Sequence, residues 1–302
     1  MRFGGHQTFA IRDGWLYKGL KLTKESPELF ADPDLADWLG VGKNMAKAIH
    51  HWLLATGLAE PAIDAASKKI LQPTALGDLI WDKDRYFLHP GTWWAIHVQL
   101  NHHPEHAYSW DWFFNHFNPI RFERPICIEA LRRYLTSNSE RVPSPRTLDR
   151  DVNCLLRSYA IRVPREETDP EEFLECPLSE LGILLHSPQT GFFHLNRDLK
   201  PIPFEIFAYA LTHALEHSET VKEASARDLS LNELTNGTNM PGRIFSLSSE
   251  ATYELVASYE SMGYLNLSGQ AGERIVRIRT KPSLEWLRKY YEERTLTEEE
   301  AA

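Results

Sequence analysis

Cysteine is scarce in this chain of 302 residues: Cys127, Cys154 and Cys176 stand far apart, and no two form a Cys-x-x-Cys pair. An odd, scattered set argues against a disulfide framework and against a thiolate zinc site. Long apolar runs are missing too. No stretch of about 18 apolar residues occurs to span a bilayer. The first thirty residues lack the apolar core and small-residue cleavage site of a secretory signal. A cytoplasmic protein with reduced thiols and no membrane contact is expected.

Several catalytic signatures are also absent. "LGVGKN" (residues 39–44) resembles the end of a phosphate-binding loop but lacks its first glycine and its Ser or Thr. No GxSxG, HExxH or dinucleotide fingerprint appears, no segment repeats at a fixed period, and no heptad-like dimerisation helix stands out.

What is present is an uneven charge. The net charge of -9 speaks against nucleic acid at face value. Between Arg121 and Arg165, however, ten arginines face only Glu123, Glu129, Glu140, Asp149 and Asp151, a local +5. From Glu166 to Glu180 there are seven acids and no base. Acids gathered in blocks leave a basic central region, the distribution that matters for a polyanionic partner. The alternative is a set of ordinary solvated faces.

Three stretches share one pattern. In residues 34–60, a short helix through Leu35, Trp38 and Leu39 runs into the "GVG" turn. A second helix then carries Met45, Ala48, Ile49, Trp52 and Leu53 on one face. This is helix-turn-helix spacing. Lys43, Asn44 and Lys47 open the second helix on its other face, where a recognition helix meets base edges and phosphates. A candidate wing follows through Ile70 and Leu71. The alternative is an αα-hairpin used only for packing. In residues 126–161, a helix with Ile128, Leu131, Tyr134 and Leu135 precedes a polar turn. Ser144 then caps a helix with Pro145 at its first position. That helix buries Leu148, Val152, Leu155, Leu156 and Tyr159 and shows Arg146, Arg150 and Arg157 outside. Arg146 and Arg150, four residues apart, form a candidate phosphate clamp, unless Asp149 and Asp151 neutralise them. In residues 228–280, "DLSLNELTNG" predicts a short helix, Ser248 or Ser249 caps another, and two strands follow around a glycine-rich turn, Gly269 to Gly272. Arg274, Arg277, Arg279 and Lys281 give that hairpin a basic edge.

The expected fold is mainly α with small β wings: two or three winged-helix or helix-turn-helix-like modules joined by helical segments. The expected domains are an N-terminal winged helix-turn-helix with a helical extension (1–120), a basic helical middle region with an acidic linker (121–200) and a C-terminal winged helix (201–302).

Two further places are candidate sites. The opening "FGGHQTFAIRDGWLYKGL" sets His6, Arg12 and Lys18 among aromatic residues. Arg12 and Lys18, with His6 nearby, can line a phosphate-facing pocket braced by Phe9 and Trp15; alternatively they tie the N-terminus to the first module, since buried Arg and His need partners. Residues 88–117 hold six histidines among many aromatics. Metal-dependent cleavage of DNA needs carboxylates and imidazoles converging on Mg2+ or Mn2+. Asp82, Asp84, His102, His106 and Asp111 supply those groups without a nuclease spacing. Pro104 breaks the helix between the two histidines. The alternative is a helical hairpin core with histidines at its rim.

"GGHQTFAIRDGWLYKGL", "LGVGKNMAKAIHHWLLATGL", "PTALGDLIWDKDRYFLHPGTWWAIHVQL" and "TLDRDVNCLLRSY" together resemble a bacterial family labelled as a domain of unknown function, whose better-understood members are the SspB-like proteins of the Ssp DNA phosphorothioate modification system. The resemblance covers nearly the whole chain, most specifically residues 4–54 and 147–159. It implies double-stranded DNA as a partner and work beside a cysteine desulfurase, an ATPase and an ATP-pyrophosphatase-like protein in an antiviral defence. It also implies a single-strand nick that opens the backbone to sulfur. No catalytic residue carries over, and "HHPEH" is peculiar to this sequence. A nicking enzyme, a non-catalytic DNA-binding adaptor that recruits the sulfur-transfer proteins, and a winged-helix transcription regulator are the three readings.

Overall fold

The structure, a computed structural model, describes residues 1–162, 176–218, 226–270 and 273–301. Most of the acidic stretch after Arg162 and the tip of the C-terminal glycine-rich turn, residues 271 and 272, lie outside the described residues. The fold is mainly helical with small sheets, and the chain divides into two compact units, Met1–Leu195 and Asn196–Ala302.

In the first unit, a coiled N-terminal segment leads into α1 (Trp15–Glu25), then α2 (Leu35–Leu39) and α3 (Lys43–Ala55). The turn between α2 and α3 forms because Gly40 takes φ 64°, a left-handed angle that costs glycine nothing. α3 buries Ala48, Ile49, Trp52 and Leu53 as its spacing predicts. Trp38 departs from its apolar pattern: it is 59% exposed, because Ala36 and Leu39 supply the inward face of α2. An antiparallel hairpin follows, β1 (Ala59–Ile63) and β2 (Lys69–Pro73), and Thr74 caps α4 (Ala75–Asp84) by accepting the Gly77 amide. A Cβ on Gly77 would lie 2.1 Å from the Leu58 carbonyl oxygen, so α4 can approach the hairpin base only with glycine there.

The aromatic-rich stretch forms α5 (Pro90–His102) and α6 (Pro104–His116), which pack on each other; the break falls at His103, before Pro104. Trp110, Trp112 and Phe113 of α6 and Trp52 of α3 are fully buried. Next come β3 (Arg121–Glu123), α7 (Arg124–Ser137), α8 (Pro145–Tyr159) and β4 (Ala160–Arg162). Ser144 caps α8 by accepting the Thr147 amide, with Pro145 in the first turn. Strands β5 (Leu184–His186) and β6 (Phe192–Leu195) complete a four-stranded sheet in the order β3-β6-β5-β4, with β4 parallel to β5.

In the second unit, α9 (Phe204–Glu216) is buried along nearly its whole length and packs on α13 (Ser283–Ala301). Between them lie β7 (Ala226–Ser230), α10 (Leu231–Asn236), α11 (Pro241–Ile244), α12 (Ser249–Ser261), β8 (Asn266–Gln270) and β9 (Glu273–Arg279). Ser248 is the cap of α12. The segment "DLS", expected to open a helix, is instead the end of β7, which pairs with β9 to give a sheet in the order β7-β9-β8. All three cysteines are buried and unbridged. No helix among the described residues is long and apolar enough to cross a membrane.

Candidate nucleic-acid interface

The N-terminal segment is held by one buried carboxylate. Asp151, on the inner face of α8, accepts the Gly4 amide at 2.6 Å, the His6 ring at 2.9 Å and the Ser109 hydroxyl at 2.6 Å. His6 Nδ1 accepts the Thr8 amide, so Nε2 carries the proton donated to Asp151. The His6 ring also lies against Trp52, whose indole N–H donates to the Phe9 carbonyl. His6 and Asp151 are thus structural ties, and Asp151 is withdrawn from the surface of α8.

Beyond that anchor, the segment forms one wall of a cavity of about 730 Å³. Arg12, Arg124 and Arg157 line it from three separate segments, with Asn153 of α8 and His186 and Phe193 of the sheet. Among the described residues, no carboxylate lines it. The Arg12 guanidinium stacks over Phe9 and Trp15, 5.4 Å from each ring centre. Such stacking fixes the cation while leaving its N–H edge available. Arg124 donates to Asn153 Oδ1 at 3.3 Å and has a loose ion pair with Asp149 at 3.7 Å. Arg157 has no ion-pair partner among the described residues. Thr8, also on the wall, has φ 72°. A β-branched residue in that region is strained, and such strain clusters at ligand sites.

Of the predicted N-terminal site, Arg12 and Phe9 line the cavity and Trp15 supports Arg12. His6 lies behind, in the anchor. Lys18 is elsewhere, exposed on α1 with its ammonium 3.5 Å from the Leu39 carbonyl. Arg146 and Arg150 are exposed on α8. Together with Asn153 and Arg157 their 4-3-4 spacing defines a single helical stripe, so the predicted clamp continues along α8 to the cavity. The sequence already places Arg157 on that outer face and the same spacing could have found Asn153; Arg124 carried no comparable signal. Lys43, Asn44 and Lys47 are exposed in the first turns of α3. Arg274 lies over the Tyr253 ring at 3.8 Å, and Arg277 makes two 2.6 Å bonds to Asp228, its register partner on β7.

The structure does not gather the predicted metal ligands into one site. Asp84 is buried and closes the turn before α5, accepting the Leu88 and His89 amides and the Thr92 hydroxyl. Asp82 is exposed on α4. His102 donates its Nδ1–H to the Val98 carbonyl. Burial lowers the proton affinity of His106, aided by His103 and Arg2 and opposed by Glu105. Burial raises the Asp111 carboxyl, against the bond it accepts from Asn115. Among the described residues, no group of three or more His, Cys, Asp or Glu side chains is placed to hold a metal ion.

A mainly helical chain with an arginine-lined cavity in its first unit matches, over residues 3–291, the family described as "protein of unknown function (DUF4007)", and the chain belongs to that family. Two solved structures resemble it closely in fold. One, described as magnesium ion-bound SspB, has a TM-score of 0.80 and 27% identity; the other, SspB, has a TM-score of 0.80 and 25% identity. Each alignment covers 96% of this chain and 88% of the other. The chain is therefore SspB-like. No curated protein matches it.

Proposed function

We propose that this protein is the DNA-binding component of a DNA phosphorothioate modification system and grips the duplex backbone through the first unit. The observation that carries the proposal is the convergence of Arg12, Arg124 and Arg157 on one cavity with no lining carboxylate among the described residues, continued along α8 by Arg150 and Arg146. Arginines in such an array match phosphate oxygens, and their contribution is electrostatic and sequence-independent. The SspB likeness supports the system assignment, and the family resemblance implies a cysteine desulfurase, an ATPase and an ATP-pyrophosphatase-like protein as partners.

Helix α3 with its β1–β2 hairpin, and α12 with β8–β9, fit winged-helix modules. In this reading Lys43, Asn44 and Lys47 meet the major groove while the α8 stripe holds phosphates. This favours a backbone-positioning protein over a transcription regulator. Nicking is the finer reading, and the magnesium ion bound by one SspB favours testing it. Asp82, Asp84, His102, His106 and Asp111 do not fit a shared metal, so no cleavage step is assigned to them.

A supercoiled plasmid incubated with the purified protein and Mg2+, Mn2+ or EDTA, alongside a gel shift at rising salt, tests both readings. A salt-sensitive shift is expected. Open circles formed only with metal would add nicking to binding, and no shift at low salt would remove the DNA reading altogether.

A further inference from the structure

The arginine stripe of α8 changes character where it reaches the N-terminal segment. Arg146 and Arg150 stand exposed on the helix, whereas Arg157 joins Arg12 and Arg124 around a cavity of about 730 Å³. Thr8 and Asn153 add a hydroxyl and an amide to the same lining, and no carboxylate lines it among the described residues. Arg12 and Arg157 have no ion-pair partner among the described residues, and Arg124 has only the loose one with Asp149, at 3.7 Å. A phosphodiester within a continuous strand carries a single charge. It offers only its two non-bridging oxygens, and the strand runs on at both sides, so it meets only the mouth of a concave site. A terminal phosphate carries about 1.5 to 2 negative charges on three free oxygens and can enter end-on. Three guanidiniums brought from three segments match the second ligand and exceed what the first can use.

We propose that the cavity receives the terminal phosphate of a broken DNA strand, held by Arg12, Arg124 and Arg157 while the duplex beside the break lies along Arg150 and Arg146. This rests on the DNA-binding reading above and adds to it a subsite that distinguishes a strand end from a continuous backbone. Recognition is by charge and oxygen count. The rings of the lining take no part in it, since Phe9 carries the Arg12 guanidinium and Phe193 is stacked with His186 and Phe122.

The test is fluorescence anisotropy with duplexes of one sequence: continuous, nicked with hydroxyls on both sides of the break, and nicked with a 5′- or a 3′-phosphate. The intact protein is expected to bind a phosphate-bearing nick about tenfold tighter than the hydroxyl nick. Arg157→Ala should cancel most of that preference. Arg150→Ala, outside the cavity, should weaken binding to all the duplexes alike and keep the preference. Melting curves check the fold; if Arg157→Ala unfolds, Arg124→Ala, also at an exposed position, carries the test. Equal affinity of the intact protein for phosphate and hydroxyl nicks overturns the proposal and leaves DNA binding standing. Binding to none of the duplexes overturns both. A preference that survives both Arg157→Ala and Arg124→Ala puts the strand end outside the cavity and overturns the proposal as well. Displacement of every duplex by inorganic phosphate, beyond that by sodium chloride at equal ionic strength and without a preference for phosphate nicks, assigns the cavity to a free phosphate and overturns the DNA source.

Discussion

Helix α8 and strand β9 are both rich in arginine, yet the aspartates that could neutralise them go to opposite places. On α8, Asp151 turns inward to Gly4, His6 and Ser109, and Asp149 leans toward Arg124. Arg146, Arg150 and Arg157 have no ion-pair partner among the described residues. On β9, the register sets Asp228 opposite Arg277, and the two close a bidentate pair. That pair draws the carboxyl below the usual range, because the guanidinium donates to its charged form. A count of charges cannot distinguish the two regions. The difference lies in whether an acid is used inside the protein or spent on the neighbouring cation.

The comparison breaks most readily at Asp151. Asp151→Ala leaves the Gly4, His6 and Ser109 donors without their acceptor inside the first unit. Its unfolding free energy should fall by about 3 kcal/mol or more, read from urea denaturation. Asp228→Ala, at the surface, should leave the unfolding midpoint nearly unchanged. Equal effects would erase the distinction.

DNA affinity comes next. Arg146→Ala/Arg150→Ala should weaken duplex binding by about tenfold at low salt without changing the melting temperature. Arg12→Ala should act in the same direction; a large fall in melting temperature would instead make Arg12 structural.

Acid sharpens the contrast from another side. Burial, with His6 and Arg2 close by, pushes the His51 imidazole down to about 2, and burial also lowers His50. Both are neutral in the fold and protonate on unfolding. Their contribution is complete above about pH 6.5 and is lost as the pH falls toward the folded value, by at most about 1.4 kcal/mol per pH unit for each histidine. Urea midpoints of the first unit should therefore drop between pH 7 and pH 5, and a flat profile would contradict the assignment. The smallest effect belongs to Arg277→Ala, which should change DNA affinity less than any α8 arginine.

Much of this was legible in the sequence where the information is local. The cap at Ser144, Pro145 in the first turn and the apolar face of α8 follow from spacing, as do the turn at Gly40 and the buried face of α3. The four-stranded sheet was not legible, since its strands are three or four residues long and pair across the chain. The same limit hid β7, whose strand character comes from β9 rather than from "DLS" itself. Arg12 was singled out by its setting, but the cavity needs Arg124 and Arg157 brought from more than a hundred residues away. Asp151 illustrates the point most sharply. Its sequence position suggests a surface counter-ion, whereas its distant partners Gly4, His6 and Ser109 make it an internal anchor.

In the proposed function, the arginines that line the cavity of the first unit hold DNA phosphates. The most direct test of this is the salt dependence of duplex affinity for the intact protein and for the Arg12→Ala/Arg124→Ala/Arg157→Ala variant. Each lost phosphate contact should reduce the slope of log affinity against log salt by about 0.9, so the variant should be shallower by about 2 to 3 with an unchanged melting curve. An identical slope in both proteins would contradict the account and put the DNA surface, if there is one, elsewhere on the chain.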